Sequence, residues 1–153
     1  MRVLIDTNVL LRLANAAQDP SFAIAESAIE NLRCQGHTPT IVPQILYEFW
    51  AVATRPQAEN GLGMTTEKAK SEIASLAPPL FVLLQDERAI LQRWMELVVR
   101  YEVKGKSTHD ARLVSAMLRH GISHVLSFNN ADFNRFHEIV VVTPQQVNSG
   151  ELT

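Results

Sequence analysis

Three acids in this chain stand where solvated side chains are not expected, and together they outline one chemistry. Asp6 interrupts the apolar opening MRVLIDTNVLLRL, directly after Val3-Leu4-Ile5 and before a second apolar run, Val9 to Leu13. Glu48 is the one charge in PQILYEFWAVA, at the edge of a stripe formed by Ile45, Phe49, Val52 and Ala53 at helical spacing. Asp110 precedes Leu113, Val114 and Met117 by three, four and seven residues, so it heads the apolar face of its helix. The segment SFNNADF adds Asn129 and Asp132. Each has an ordinary reading: a helix N-cap for Asp6, a snorkelling marginal Glu for Glu48, turn chemistry for Asn129 and Asp132. For Asp110 the ordinary reading is weaker, because favouring a helix dipole requires an early turn but no particular face. As a set they offer hard oxygen ligands without Cys or paired His, which suits Mg²⁺ or Mn²⁺ rather than zinc. Clustered carboxylates repel one another, and a divalent cation removes that penalty while keeping them ionised. Such a site activates water and clamps a phosphate, the chemistry of metal-dependent phosphodiester hydrolysis.

The elements that must position these residues follow from periodicity and punctuation. Strands are expected at Val3–Ile5, Thr40–Val42, Leu80–Leu84 after Pro78-Pro79, His124–Phe128 and Ile139–Val142. Between them fall helical patterns: a turn or two over Val9–Ala14, then Ser21–Gln35 with Ser21 as N-cap and Gly36 as its stop. Pro43 opens the next, Gln44–Thr54, which Pro56 closes, and Gln57–Gly63 reads as a loop. Further helices span about Thr66–Ala77, a long segment capped by Asp86 and ending near Tyr101, and His109–His120 with Gly121 as stop. Lys104 to Lys106 form a basic turn. Strands and helices alternate, and the strands are continuous apolar runs, the pattern of a parallel sheet covered on both faces. The fold class is α/β. Asp6 then falls at the carboxyl end of the first strand, the edge at which open α/β sheets bind ligands.

Composition bounds the rest. With 153 residues, 46% of them hydrophobic, the chain is expected to form a single domain spanning 1–153 with a sizeable core. Fourteen basic against 16 acidic residues give a net charge of -2, so contact with a polyanion must be local. Arg12, Lys104, Lys106 and Arg112 are candidates for that contact, among side chains whose default is solvated surface charge. A single cysteine, Cys34, precludes an internal disulfide and points to a reducing cytoplasm. Asp6 and Asn8 break the N-terminal apolar run too early for a signal peptide, and no membrane partner is expected. His109, Trp50 and Trp94 read as structural, the tryptophans as core or dimer surface.

Four blocks, DTNVLL at 6–11, ILYEFW at 45–50, THDARLVSAMLRHG at 108–121 and LSFNNADF at 126–133, resemble in order and spacing the PIN domain, and specifically the VapC-type ribonuclease toxins of toxin–antitoxin pairs. The resemblance implies a three-layer sandwich with a central, mostly parallel sheet and helices on both faces. It implies that Asp6, Glu48 and Asp110 bind Mg²⁺ or Mn²⁺, with Asn129 or Asp132 completing the site. Thr7 and Asn8 match positions that orient the first acid, and Ser127 matches a frequent hydroxyl. It implies further an RNA substrate, a homodimer and a cognate antitoxin. Two other acid-bearing α/β classes fit less well. A receiver domain needs a phosphoacceptor Asp where this chain has Leu83-Leu84-Gln85, and a haloacid dehalogenase-type phosphatase needs a second Asp where Asn8 stands. A PIN-fold protein that acts on structured DNA, or serves as a non-catalytic scaffold, is the alternative that the sequence leaves open.

Overall fold

Hydrophobic strands of two to four residues are too short to stand alone, and in this protein they join into one five-stranded sheet. The computed structural model describes residues 1–76 and 80–152. The strands are β1 (Arg2–Ile5), β2 (Thr38–Ile41), β3 (Val82–Leu83), β4 (His124–Leu126) and β5 (Val140–Val142). They lie in the order β3-β2-β1-β4-β5, and all four pairings are parallel. Around them run α1 (Thr7–Ala14), α2 (Phe22–Cys34), α3 (Pro43–Thr54), α4 (Thr66–Leu76), α5 (Ala89–Arg100), α6 (Ser107–Arg119) and α7 (Pro144–Asn148). The first two crossovers, through α1 and α2 and then through α3 and α4, step outward from β1 to β2 to β3. The third, through α5 and α6, returns across the sheet to β4 on the other side of β1. Right-handed crossovers therefore put the two groups of helices on opposite faces. This is the expected α/β sandwich.

The core is built from the fully buried residues of the central strands, Val3, Leu4, Ile5, Ile41, Val125 and Leu126, covered by Phe49, Met117 and Phe136. Because the connections diverge on either side of β1, the crevice beyond its carboxyl end is a topological switch point. The register matters there. Ile5 pairs with Leu126, and the Asp6 N–H donates to the Leu126 carbonyl at 3.0 Å, so the residues following β1 and β4 leave the sheet side by side.

Several boundaries differ from expectation for local reasons. The third strand contracts from Leu80–Leu84 to Val82–Leu83, and Ala77 and Pro78-Pro79 lie outside the described residues. Asp86 does not cap the long helix, which begins at Ala89 with Arg88 preceding it; the Asp86 carboxylate instead pairs with Arg112. Ser21 precedes α2 without a side-chain cap, whereas Gly36, at φ +77°, adopts the left-handed conformation that ends the helix. The helix bearing Asp110 starts two residues early, at Ser107. The strand expected to reach Phe128 stops at Leu126, because Ser127 and Phe128 turn towards the residues after β1. α7 carries a capping box, Thr143 with Gln146, behind Pro144 that the sequence reading missed. Among the described residues no helix is long and apolar enough to cross a membrane.

Candidate active site

Each acid of the expected set reaches the carboxyl edge of the sheet on a different element. Asp6 is the N-cap of α1 and is 7% exposed. The ordinary reading holds in that Oδ1 accepts from the Thr7 N–H at 2.7 Å, a cap; Oδ2 accepts from Ser127 Oγ at 2.6 Å and Asn8 Nδ2 at 2.8 Å. Ser127 can do this because it follows β4 in register with Asp6. Asn8 also donates to Ser127 Oγ at 3.0 Å and accepts from the Phe128 N–H, tying the two strand ends together. Burial pushes the Asp6 carboxyl up to about 6; the Ser127 and Thr7 hydrogen bonds oppose the rise, and the charges of Glu48 and Asp132 add to it.

Glu48 stands on the second turn of α3, half-buried as its place beside the apolar stripe requires. Its Oε2 accepts from Thr7 Oγ1 at 2.9 Å, so Thr7 bridges the two acids, backbone to Asp6 and hydroxyl to Glu48. Its Oε1 accepts from Gln44 Nε2 at 2.8 Å. Asp110 lies in the first turn of α6, half-buried, and is pushed up to about 6 chiefly by burial, then by Asp132, Glu48 and Asp6, with His109 opposing. No hydrogen bond satisfies its carboxylate among the described residues. Asp110 is thus a carboxylate that three other acids repel and no donor holds.

The loop after β4 forms a 3-10 turn, Asn130–Asp132, capped by Asn129. Asn129 uses its side chain within the loop, accepting from the Ala131 N–H at 3.2 Å and donating to Asp132 Oδ2 at 2.8 Å. It is Asp132, aimed by Asn129, whose charge bears on both Asp6 and Asp110. Four carboxylates from four separate segments are therefore electrostatically coupled. They are not drawn into a closed cage: among the described residues, no three His, Cys, Asp or Glu side chains are gathered tightly enough to hold an ion as they stand. The donor set itself, all hard oxygen, fits a divalent cation of the Mg²⁺ class and gives no basis for a soft metal.

The basic candidates separate by what already holds them. Arg12 donates to the Asn8 carbonyl at 3.1 Å and lies over the Phe128 ring at 4.1 Å. Arg112 donates to Gln44 Oε1 at 2.9 Å and to Asp86 Oδ2 at 3.1 Å. Lys104 and Lys106 are exposed in the turn before α6 and take part in no ion pair among the described residues. A cleft of about 710 Å³ opens between α3 and the start of α6, lined by Gln44, Tyr47, Glu48, His109, Asp110 and Arg112 among others. Beside it, a largely apolar hollow of about 570 Å³ runs between α5 and α6 over Trp94 and shares His109 and Arg112. Trp94 donates to the Thr108 carbonyl at 3.1 Å, a structural bond, as the sequence suggests. The sequence reading missed Gln44, whose signal was its place four residues before Glu48 in an otherwise apolar helix.

A parallel α/β sheet with acids from four segments beyond the carboxyl end of β1 is an open α/β scaffold with its polar site at the switch point. The family model described as PIN domain matches residues 3–139, and the chain belongs to that family. No curated protein sequence matches it significantly. Among solved structures, it superposes on VapBC2 from Rickettsia felis, described as bound to a promoter DNA fragment, with a TM-score of 0.68 at 15% identity, covering 94% of this chain and 98% of that one. Mycobacterium tuberculosis VapC20, described as a sarcin-ricin loop cleaving toxin, matches with a TM-score of 0.64 at 17% identity over 88% and 95% of the two chains. A toxin–antitoxin complex from Klebsiella pneumoniae matches with a TM-score of 0.59 at 20% identity over 93% and 97%. At these identities the superpositions show a shared fold.

Proposed function

We propose that this protein is a metal-dependent endoribonuclease that hydrolyses RNA phosphodiester bonds, the toxin of a VapBC-type pair held in check by a cognate antitoxin. The observation that carries the reading is the coupled set Asp6, Glu48, Asp110 and Asp132 at the carboxyl edge of a PIN-domain sheet, an electrostatic arrangement that is costly unless a cation joins it. Asp6, Glu48 and Asp110 would hold Mg²⁺ or Mn²⁺, with Asp132 as the fourth ligand in preference to Asn129, whose amide is spent within the loop. When bound, the cation supplies charge neutralisation for the phosphate and an acidified water. The chain's own residues do the remaining work. Thr7, Asn8 and Ser127 aim donors at Asp6 and Glu48, which orients both carboxylates, and at Asp6 the Ser127 and Thr7 donors oppose the rise that burial causes. Lys104 and Lys106, free of ion pairs among the described residues and only a few positions before Asp110, support the local positive contact that an acidic protein needs to hold RNA.

The antitoxin partner is carried over from the toxin–antitoxin complexes that share the fold. Pairing of two copies is supported by Leu91, Met95 and Val99, which lie one turn apart on α5 and are 67%, 52% and 74% exposed. A cytoplasmic setting, with its RNA and its reducing potential, completes the reading. The test is cleavage of labelled single-stranded and hairpin RNA by purified protein with Mn²⁺ or Mg²⁺, with chelator, and by Asp6→Ala and Asp110→Ala. Loss of cleavage in all three controls is expected. Equal cleavage by wild type and Asp110→Ala would identify a contaminating nuclease and reject the assignment.

A further inference from the structure

Gln44 is a polar side chain, 6% exposed, in the cleft wall with Glu48 and Asp110, and both of its donor directions and one of its acceptor directions are used. Its Nε2 donates to Glu48 Oε1 at 2.8 Å and to the His109 carbonyl at 2.8 Å; its Oε1 accepts from Arg112 Nη1 at 2.9 Å. The orientation of this amide is forced rather than chosen. Arg112 can only donate, while a carboxylate and a carbonyl can only accept, so the reversed amide would set donor against donor on one side and oxygen against oxygen on the other. Arg112 is held in turn by Asp86, in the segment before α5. That ion pair is half-exposed and stabilises the fold little, which leaves orientation as the use of the contact. One amide thereby joins α3, through Glu48, to the backbone immediately before Asp110 on α6.

We infer that Gln44 is a positioning residue that fixes Glu48 relative to the start of α6, so that Glu48 and Asp110 can close on a shared cation, and that Arg112, braced by Asp86, acts through it by fixing the direction of its amide. This rests on the metal-nuclease reading and adds to it a second tier of control, drawn from Gln44 and Arg112 on the helices that carry Glu48 and Asp110 and from Asp86 in the segment before α5. Partners of this kind alter metal affinity about 10- to 100-fold when removed. Arg112, a candidate for gripping RNA by its charge alone, is reassigned to holding the site in shape.

The test needs no substrate. In metal-free protein, the Gln44 side-chain amide protons should exchange with solvent much more slowly than those of exposed glutamines, and Arg112→Met should remove part of that protection. Mn²⁺ calorimetry should then show affinity weakened about tenfold or more in Gln44→Met, which keeps the side chain's length, and a few-fold in Arg112→Met. The double variant should be no worse than Gln44→Met, because Arg112 works only through Gln44. If Gln44→Met does not fold, Arg112→Met at its partly exposed site still carries the affinity test. Unprotected Gln44 amide protons, Mn²⁺ affinity in Gln44→Met within twofold of wild type, or additive losses would each overturn the inference. Wild type that takes up no Mn²⁺ would reject the metal-nuclease reading together with it, a result distinct from wild type and Gln44→Met binding alike.

Discussion

Substituting Asn for Asp110 should raise the stability of the metal-free protein, against the usual expectation for a half-buried site. Burial disfavours the charge of this carboxylate, three acids repel it and no donor among the described residues holds it, so its charge is a cost that folding bears. Its carboxyl rises from 3.8 to about 6, a change that would correspond to about 3 kcal/mol for a fully enclosed group. Asp110 is half-exposed, and screening by water reduces this to about 1 kcal/mol, or about 2–4 °C in melting temperature for a domain of this size. The sign with pH follows from the direction of the shift. A carboxyl that binds its proton more tightly folded than unfolded contributes stability that is full below about pH 4 and is lost as pH rises through 6. The advantage of Asp110→Asn should therefore be complete at pH 8 and fade towards pH 4. Asp6→Asn provides the contrast: its amide nitrogen must face either the Thr7 N–H or the Asn8 and Ser127 donors, a mismatch of about 1–3 kcal/mol that offsets the relief of charge. Thermal melts in chelator across this pH range decide the matter. If Asp110 chiefly serves the dipole of α6, the substitution costs about 0.3–1 kcal/mol and Asp110→Asn melts below wild type at pH 8, which would refute the reasoning.

Further outcomes are expected. Ser127→Ala removes a donor that holds the Asp6 carboxyl down, so the acid limb of RNA cleavage should move to higher pH; an unchanged limb would show that Ser127 does not tune Asp6. Expression of the chain alone should slow bacterial growth and Asp6→Ala should relieve it, with a mutant as toxic as wild type counting against a nuclease toxin. Met95→Lys with Val99→Glu should convert a dimer to a monomer in light scattering without loss of fold, whereas an unchanged mass would place any pairing surface elsewhere.

Much of the fold was legible because its strands are short, apolar and separated by helices with clear stops such as Gly36 and Gly121, both with positive φ. Asp6, Glu48 and Asp110 were legible for one shared reason: each is a charge that violates the periodicity of its own element, a local contradiction that calls for a non-local partner. What escaped the sequence was pairing. Asp86 stood before a helix, where the prior for an N-cap is strong, and nothing nearby revealed its partner 26 residues on in Arg112. Gln44 has one contact within reach of pattern reading, Glu48 at four residues, and two at 65 and 68 residues that only the crossover from β3 to β4 creates. The hydrogen bond from Asn129 to Asp132 depends on a 3-10 turn that spends one side chain to direct the other, a geometry that an Asn-Asn-Ala-Asp string does not specify.

The central claim, that acids from four segments form one cation site, is tested most directly by anomalous diffraction from crystals equilibrated with Mn²⁺. The account predicts a strong peak bounded by the carboxylates of Asp6, Glu48, Asp110 and Asp132, absent in Asp110→Asn crystals treated alike. No peak among these residues at saturating Mn²⁺, or an equal peak in Asp110→Asn, would contradict it.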